Sequence, residues 1–308
     1  MNGKAPMDAR YAAGAAYLDG AFMPIGEAKI PITDWGYRRS DVTYDVVSVW
    51  EGLFFRLDEH VTRFRASMEK LRLSPRESDE EIKAILHRCV ALAGLRSAYV
   101  AMDCLRGRPE RGKPYHPAFA RNYVAAFAIP WVSIVDEEMM QKGAHMIVAD
   151  TVRIPPESVD PTAKNFHWGD LTRAQFEARD RGADFAILTD GAGLVTEGAG
   201  FNVFAVTGKR VVSPHRGALE GVTRLSVLEL CPELGLEPVI EPMSVEALRG
   251  ADEIFMTTTA GGVMPVSRID GRMLCNDRPG LVTMKLHDLF WAKRRAGWLG
   301  TPVDYAAA

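Results

Sequence analysis

The residue that most invites a chemical explanation is Lys164, in the segment "DPTAKNFHWGD" (160–170). Only ten of the 37 basic residues are lysines, and no other lysine lies between Lys142 and Lys209. A proline turn precedes it, a helix start follows, and no acid stands within three positions of it on either side. An amine becomes a nucleophile or an imine partner when desolvation or a neighbouring cation lowers its pKa. The plainer use of the same residue is a lysine snorkelling at a helix start. Glu197, in "LVTEGAGFNVF", lies inside an apolar, glycine-rich strand-turn. Buried there, its carboxylate needs a partner, because an unpaired buried charge costs several kcal/mol. A protonated pyridine nitrogen is one such partner, and an exposed hairpin position is the alternative.

Two further segments supply donors for an anion. "LEGVTR" puts Gly221, Val222 and Thr223 where a helix begins, so free backbone N–H groups and a hydroxyl can meet a phosphate. "TTTAGG" offers Thr258, Thr259 and Ala260 in a tight turn of similar chemistry. Arg63, in "HVTRF", could add a bidentate contact. Threonine and glycine fill most turns, so each segment alone is commonplace. Neither GxxxxGK[ST] nor GxGxxG occurs, which removes support for a nucleotide phosphate loop. The seven histidines show no metal-ligand spacing. An imine-forming lysine, a carboxylate for a pyridinium nitrogen and a phosphate cup are together what pyridoxal 5′-phosphate requires.

These residues need elements to hold them. "AYLDGAFMPIGEAKIPI" reads as two strands about Asp19-Gly20, and "TYDVVSVWEGLFFRL" as two more about Glu51-Gly52. A helix opened by Asp58 places Val61, Phe64, Met68 and Leu71 on one face; a second carries Ile82, Ile85, Leu86, Cys89 and Val90 and ends at Gly94. "SAYVAMDCLRG" and "NYVAAFAIPW" are strand-like, with the basic loop "RGRPERGKPYHPAFAR" between them. After "VDEEMM", read as a joint between domains, come the strands "HMIVAD" and "ADFAILTDGAGLVTEGAGFNVFAVTGKRVVS" with a helix after Lys164 between them. A helix after "LEGVTR", a strand in "EIFMTTTAGG" and a last amphipathic helix over roughly 281–295 complete the chain. The expected fold class is α+β, or mixed α/β, with strong antiparallel content and no doubly wound alternation. The expected division is a small domain over 1–132, a linker over 133–140 and a larger cofactor-binding domain over 141–308.

Composition narrows the function class. At 308 residues, 47% hydrophobic and 25% charged, the chain has an ordinary globular make-up and can bury a substantial core. A net charge of −3 with signs interspersed gives no footprint for nucleic acid or an anionic membrane. No apolar run reaches the roughly 18 residues of a membrane span, and "MNGKAPMDARYAAGAAYLDG" lacks the apolar core of an export signal. The four scattered cysteines fit reduced thiols in a cytoplasm.

The blocks "SDVTYDVVSVWEGLFFRLDEHVTRF", "DPTAKNFHWGDL", "VTEGAGFN", "LEGVTR" and "EIFMTTTAGG", in that order, resemble the fold-type IV pyridoxal-phosphate transaminases. That group holds the branched-chain and D-amino-acid aminotransferases, and within it the chain looks most like the (R)-selective amine transaminases. The resemblance implies a two-domain fold and a homodimer. It makes Lys164 similar to the family's Schiff-base lysine and Glu197 to its acid on the pyridine nitrogen. Arg63, Val222, Thr223, Thr258 and Thr259 match its phosphate cup. Tyr44, Val46, Trp168 and Ala260 fall at its substrate side, with Trp168 in the amine-transaminase pattern "KN-x-x-WGD". The Gly-Asn-Tyr that commonly follows the lysine of branched-chain enzymes is absent. Arg39 stands where well-known (R)-amine enzymes often carry a histidine before Ser-Asp, which points to a changed substrate entrance. The family also has a mobile arginine that pairs with a substrate carboxylate; Arg111 takes this role, with Arg106 and Arg108 as alternatives in the same loop. The implied activity is transamination between an (R)-primary amine or D-amino acid and a keto acid or ketone. Its rivals are a branched-chain or D-amino-acid aminotransferase, a lyase using the same cofactor, and a catalytically silent protein that binds a phosphate ligand.

Overall fold

The computed structural model describes residues 8–307, so the stretch read for an export signal begins outside the described residues. The chain forms two compact units: Met1–Val132 with Ala163–Phe166 and Arg294–Ala308, and Ser133–Thr162 with His167–Lys293.

The first unit is built on a seven-stranded sheet in the order Gly300–Pro302, Leu53–Phe55, Val42–Trp50, Ala98–Leu105, Tyr123–Pro130, Ala15–Leu18, Ala21–Pro24, antiparallel throughout. Both expected hairpins form. Asp19 and Gly20 have φ of 46° and 99°, and Glu51 and Gly52 have 52° and 84°, the positive pair that a two-residue turn between twisted strands favours. Helices Leu57–Lys70 and Asp79–Ala93 supply the apolar cover. Val61, Phe64 and Met68 of the first and Ile82, Leu86 and Val90 of the second share a core with Val47, Val49, Val100, Met102 and Cys104 of the strands. The second helix starts in a capping box of Ser78 and Glu81 and stops at Gly94, in the left-handed region at φ 63°. Strands of period two therefore give one face to the helices. Tyr44, Val46, Ser48, Tyr99, Ala101 and Asp103 alternate onto the other.

The second unit carries a nine-stranded sheet. Its path runs Glu237–Glu241, Arg210–Pro214, Asn202–Thr207, Glu253–Thr258, Gly262–Ile269, Ala144–Val152, Phe185–Thr189, Val195–Gly198, with Arg272–Met273 added to Gly262–Ile269. Among the described residues three of its pairings are parallel, including those of Ala144–Val152 with both neighbours. Helix Gly169–Asp180 covers one face through Leu171, Ala174 and Ala178 against Ile147, Ala149 and Leu188. Met146, Val148, Val203 and Ile254 enter the core on the other.

Three stretches differ from the division read in the sequence, and one of them, Ala163–Phe166 with Lys164, leaves the expected 141–308 domain for the first unit. The stretch 133–140 is no linker: Asp136 caps a helix, Glu137–Lys142, by accepting from the Met139 N–H at 2.8 Å. Val135 is buried, with Met139 and Met140 packed against the same core, so this stretch folds with the second unit. The segment Arg294–Ala308 belongs instead with the first unit, because Gly300–Pro302 pairs with Leu53–Phe55 and Val303 enters its core. A three-residue strand whose partner lies far upstream leaves no periodic signal in the sequence.

Candidate active site

Lys164 belongs to the first unit. Its four-residue segment runs beside the start of strand Val42–Trp50 through a Thr43–Asn165 bridge. The Lys164 carbonyl accepts from Thr43 Oγ1 at 2.6 Å and from the Tyr44 N–H at 3.1 Å. Its own N–H donates to Ser67 Oγ at 3.1 Å, and Ser67 in turn donates to the Arg63 carbonyl at 2.9 Å. The main chain on both sides of the lysine is thus tied to a sheet and a helix, and the side chain is presented from a fixed base. Its Nζ stands 4.3 Å from the centroid of the Tyr44 ring, which packs edge-on against Phe166 at 4.8 Å.

On the helix side of the same strand lies a buried charge cluster. Asp45 is fully buried and receives Arg63 Nε on Oδ2 and Nη2 on Oδ1, both at 2.8 Å, in the fork geometry that makes Arg–carboxylate pairs strong. His60 Nδ1 lies 2.8 Å from Asp45 Oδ1; a carboxylate only accepts, so Nδ1 carries the hydrogen. Burial pushes the Asp45 carboxyl up, but the Arg63 charge and the hydrogen bonds from His60 and Arg63 outweigh it and hold it well below the usual carboxylate range. Burial pulls His60 down, against the opposing pull of Asp45, so the ring stays neutral.

In the second unit the acid is Glu197, also buried. Its Oε1 receives Arg153 Nη2 at 3.0 Å and Nε at 3.3 Å, and its Oε2 the Leu219 N–H at 2.8 Å. Arg153 is held from behind by Asp170, whose Oδ2 takes its Nη1 at 2.6 Å and the Ile154 N–H at 2.8 Å. Burial lowers the Arg153 guanidinium's affinity for its proton, yet Glu197 and Asp170 more than restore it. A permanent cation so placed favours the charged form of Glu197. Trp168 leads into helix Gly169–Asp180 and lies beside the Glu197 turn: a Cβ on Gly200 would stand 3.4 Å from its ring.

The expected anion donors are also in place. Helix Val222–Leu230 begins at Gly221 with no side-chain cap, and its first intrahelical bond is Leu225 N–H to the Gly221 carbonyl. The N–H groups of Val222, Thr223 and Arg224 precede that bond and point out of the helix. A Cβ on Gly221 would fall 2.1 Å from Asn202 Oδ1, so only glycine fits this approach. Thr258 ends a strand and is followed by Thr259, Ala260 and two glycines of positive φ, with Thr258 and Thr259 half-buried. Within the second unit, the Arg153-paired carboxylate of Glu197 suits a protonated ring nitrogen, and the uncapped helix start that no Cβ could fill suits a phosphate; within the first, the Lys164 amine on its rigid base suits imine formation, and each is a group that pyridoxal 5′-phosphate calls for.

Some expected residues sit differently. Arg63 gives its Nε and Nη2 to Asp45. Arg106 is removed as a mobile arginine: it is buried, with Nε and Nη2 on Asp41 at 2.9 and 3.0 Å and Nη1 on the Arg72 carbonyl at 2.7 Å. Arg111 and Arg108 remain exposed in the loop. Arg39 is exposed and stacks on Trp35, its guanidinium carbon 3.8 Å from the ring centroid. Asp45, His60, Ser67, Arg153 and Asp170 were missed by sequence reasoning. An acid in the apolar run "TYDVVSVW" and the demand of Glu197 for a cation were signals that could have found Asp45 and Arg153.

Comparison with known proteins follows the same lines. Residues 43–269 match the amino-transferase class IV family. The chain is 30% identical over 276 residues to a putative branched-chain-amino-acid aminotransferase of Methanocaldococcus jannaschii, covering 89% of this chain and 94% of that protein. It is 31% identical over 269 residues to the D-alanine aminotransferase of Bacillus licheniformis, covering 86% and 92%. Among solved structures, a T.th. branched-chain amino acid aminotransferase with pyridoxamine 5′-phosphate superposes with a TM-score of 0.88 at 31% identity, over 95% of this chain and 99% of that one. The chain belongs to the amino-transferase class IV family.

Proposed function

We propose that this class IV aminotransferase moves an amino group between an (R)-primary amine or D-amino acid and a keto acid or ketone, in two successive half-reactions. Its cofactor is pyridoxal 5′-phosphate. When bound, the cofactor accepts the electron pair released at the substrate carbon and carries the amino group between the half-reactions. Lys164 holds the cofactor between turnovers, and its Nζ then takes and returns the proton at the substrate carbon. Glu197 keeps a proton on the ring nitrogen, and Arg153 keeps Glu197 charged. The N–H groups of Val222 and Thr223 and the turn at Thr258 and Thr259 receive the phosphate.

The observation that carries the donor class is the sheet face next to Lys164 in the first unit. Among the described residues it offers Tyr44, Val46, Ser48, Tyr99, Ala101 and one acid, Asp103, and no cation for a substrate carboxylate. The names of the relatives favour a second reading, an amino acid donor of branched-chain or D configuration; its carboxylate would then be met by a mobile residue such as Arg111. A panel of (R)- and (S)-amines with D- and L-amino acids decides between them by kcat/KM. Lys164→Ala tests both: transamination and the pH-sensitive absorbance of the holoenzyme should vanish, and full turnover in that variant would refute the mechanism.

A further inference from the structure

Among the described residues Asp103 is the one acid on the sheet face beside Lys164. Strand Val42–Trp50 pairs Tyr44 with Asp103 of strand Ala98–Leu105, and Asp103 pairs with Ala125 on its other side. The Tyr44 N–H points away from that neighbour, toward the Lys164 carbonyl, so Tyr44 and Asp103 form a non-hydrogen-bonded pair. Side chains of such a pair are the closer kind, with Cβ atoms about 4.5–5.5 Å apart. Tyr44 is the residue whose ring lies 4.3 Å from Lys164 Nζ. Asp103 is therefore one side chain away from the reacting amine.

The carboxylate is half-buried and makes no hydrogen bond or ion pair among the described residues. Its companions on the face are Ala101, Leu105 and Ala125, all buried and apolar. Burial raises its pKa to about 7. A half-buried carboxylate among apolar neighbours keeps only part of its hydration, so a cationic group that reaches it gains a charge-assisted partner. A substrate carboxylate would be repelled by it, whereas an ammonium would pair with it and gain from the low dielectric.

We infer that Asp103 is a specificity residue that binds a second, protonated nitrogen on the amino donor, a few bonds from the carbon that reacts at Lys164. Among (R)-primary amines, the favoured donors are then those with a second basic group. This inference rests on the aminotransferase reading and deepens it.

The test compares two donors of one shape on the holoenzyme: (R)-1,3-diaminobutane and (R)-2-aminopentane, which differ by an ammonium in place of a methyl. The wild type should favour the diamine in kcat/KM, and Asp103→Asn and Asp103→Leu should each lower the ratio of the two constants by at least about tenfold, or ~1.4 kcal/mol. Infrared difference spectra of wild type against Asp103→Asn give a second readout: a protonated-carboxyl band of Asp103 near neutral pH should disappear on adding the diamine and persist with 2-aminopentane. A ratio that the substitutions leave unchanged, or a wild type that does not prefer the diamine, overturns the inference. Failure of the aminotransferase reading looks different, since then no amine or amino acid alters the cofactor absorbance at all.

Discussion

Asp45 and Asp103 lie on adjacent strands of one sheet, on opposite faces, and their fates diverge. Asp45 faces the helices, is fully buried, and is completed by Arg63 and His60 from two successive turns of helix Leu57–Lys70. Its proton affinity is pulled down. Asp103 faces the other way, has no partner among the described residues, and its pKa rises to about 7. The same functional group thus serves as structural cement on one face and as a group awaiting a ligand on the other. Asp45 is fully buried and Asp103 half-buried, and only Asp45 has a guanidinium beside it.

The comparison can be broken most forcefully at the paired acid. Asp45→Ala leaves the Arg63 charge beside a cavity and should cost about 3–5 kcal/mol, read as a lower urea midpoint. The wild-type contribution is present above the carboxyl's unfolded pKa of about 4 and is lost as pH falls through its depressed folded value. An Asp45→Ala protein as stable as wild type at neutral pH would mean the cluster is not a structural anchor.

Glu197 is a second acid completed by an arginine, and it sharpens the contrast because the role proposed for it is chemical. Glu197→Gln should lower turnover by the worth of a charge-assisted hydrogen bond, roughly 1.5–3 kcal/mol, while cofactor affinity changes little. Steady-state kcat and cofactor titration separate the two effects, and an unchanged kcat removes the assignment.

At the unpaired acid the sign reverses. Asp103→Leu should raise stability by about 1–2 kcal/mol near pH ~8, because a lone carboxylate no longer has to be desolvated. A raised folded pKa means the native state holds its proton longer, so the wild-type penalty is absent below pH ~4 and grows as pH rises to about 7. The other titratable groups on its face, Tyr44, Tyr99 and Tyr123, are phenols; burial pushes Tyr99 and Tyr123 up, away from that window. Urea midpoints at several pH values should therefore converge between variant and wild type as the solution is acidified. Parallel curves would show that Asp103 is solvated in the native state.

The smallest effect belongs to Arg111, exposed in its loop. Arg111→Ala should raise KM for pyruvate and D-alanine by at least about tenfold, ~1.4 kcal/mol, and hardly alter KM for an apolar (R)-amine. Equal shifts for both substrate classes would place the loop's role in folding.

Much of this was legible in the chain. The hairpins at Asp19-Gly20 and Glu51-Gly52, the helix faces of Val61, Phe64 and Met68, and the helix start at Gly221 were readable because backbone conformation and amphipathic period are local properties. Lys164 and Glu197 stood out because a charged residue in an apolar or acid-free setting asks for a reason. Asp103 was within reach of the same argument, in "AYVAMDCLRG", and was passed over.

The sequence by itself determined which residues are candidates for the chemistry, and the order of its motifs along the chain points to the family. Tertiary structure decided what each charge meets. Arg63 meets Asp45 across a sheet-helix contact at a separation of 18 residues, Arg153 meets Glu197 at a separation of 44, and Gly300–Pro302 returns to Leu53–Phe55. Pairing depends on register and strand order, which arise only when distant segments pack, and a one-residue change of register would send Asp45 and Asp103 to each other's faces. That is why the identity of the acids could be read from the chain, while which of them is left without a partner could not.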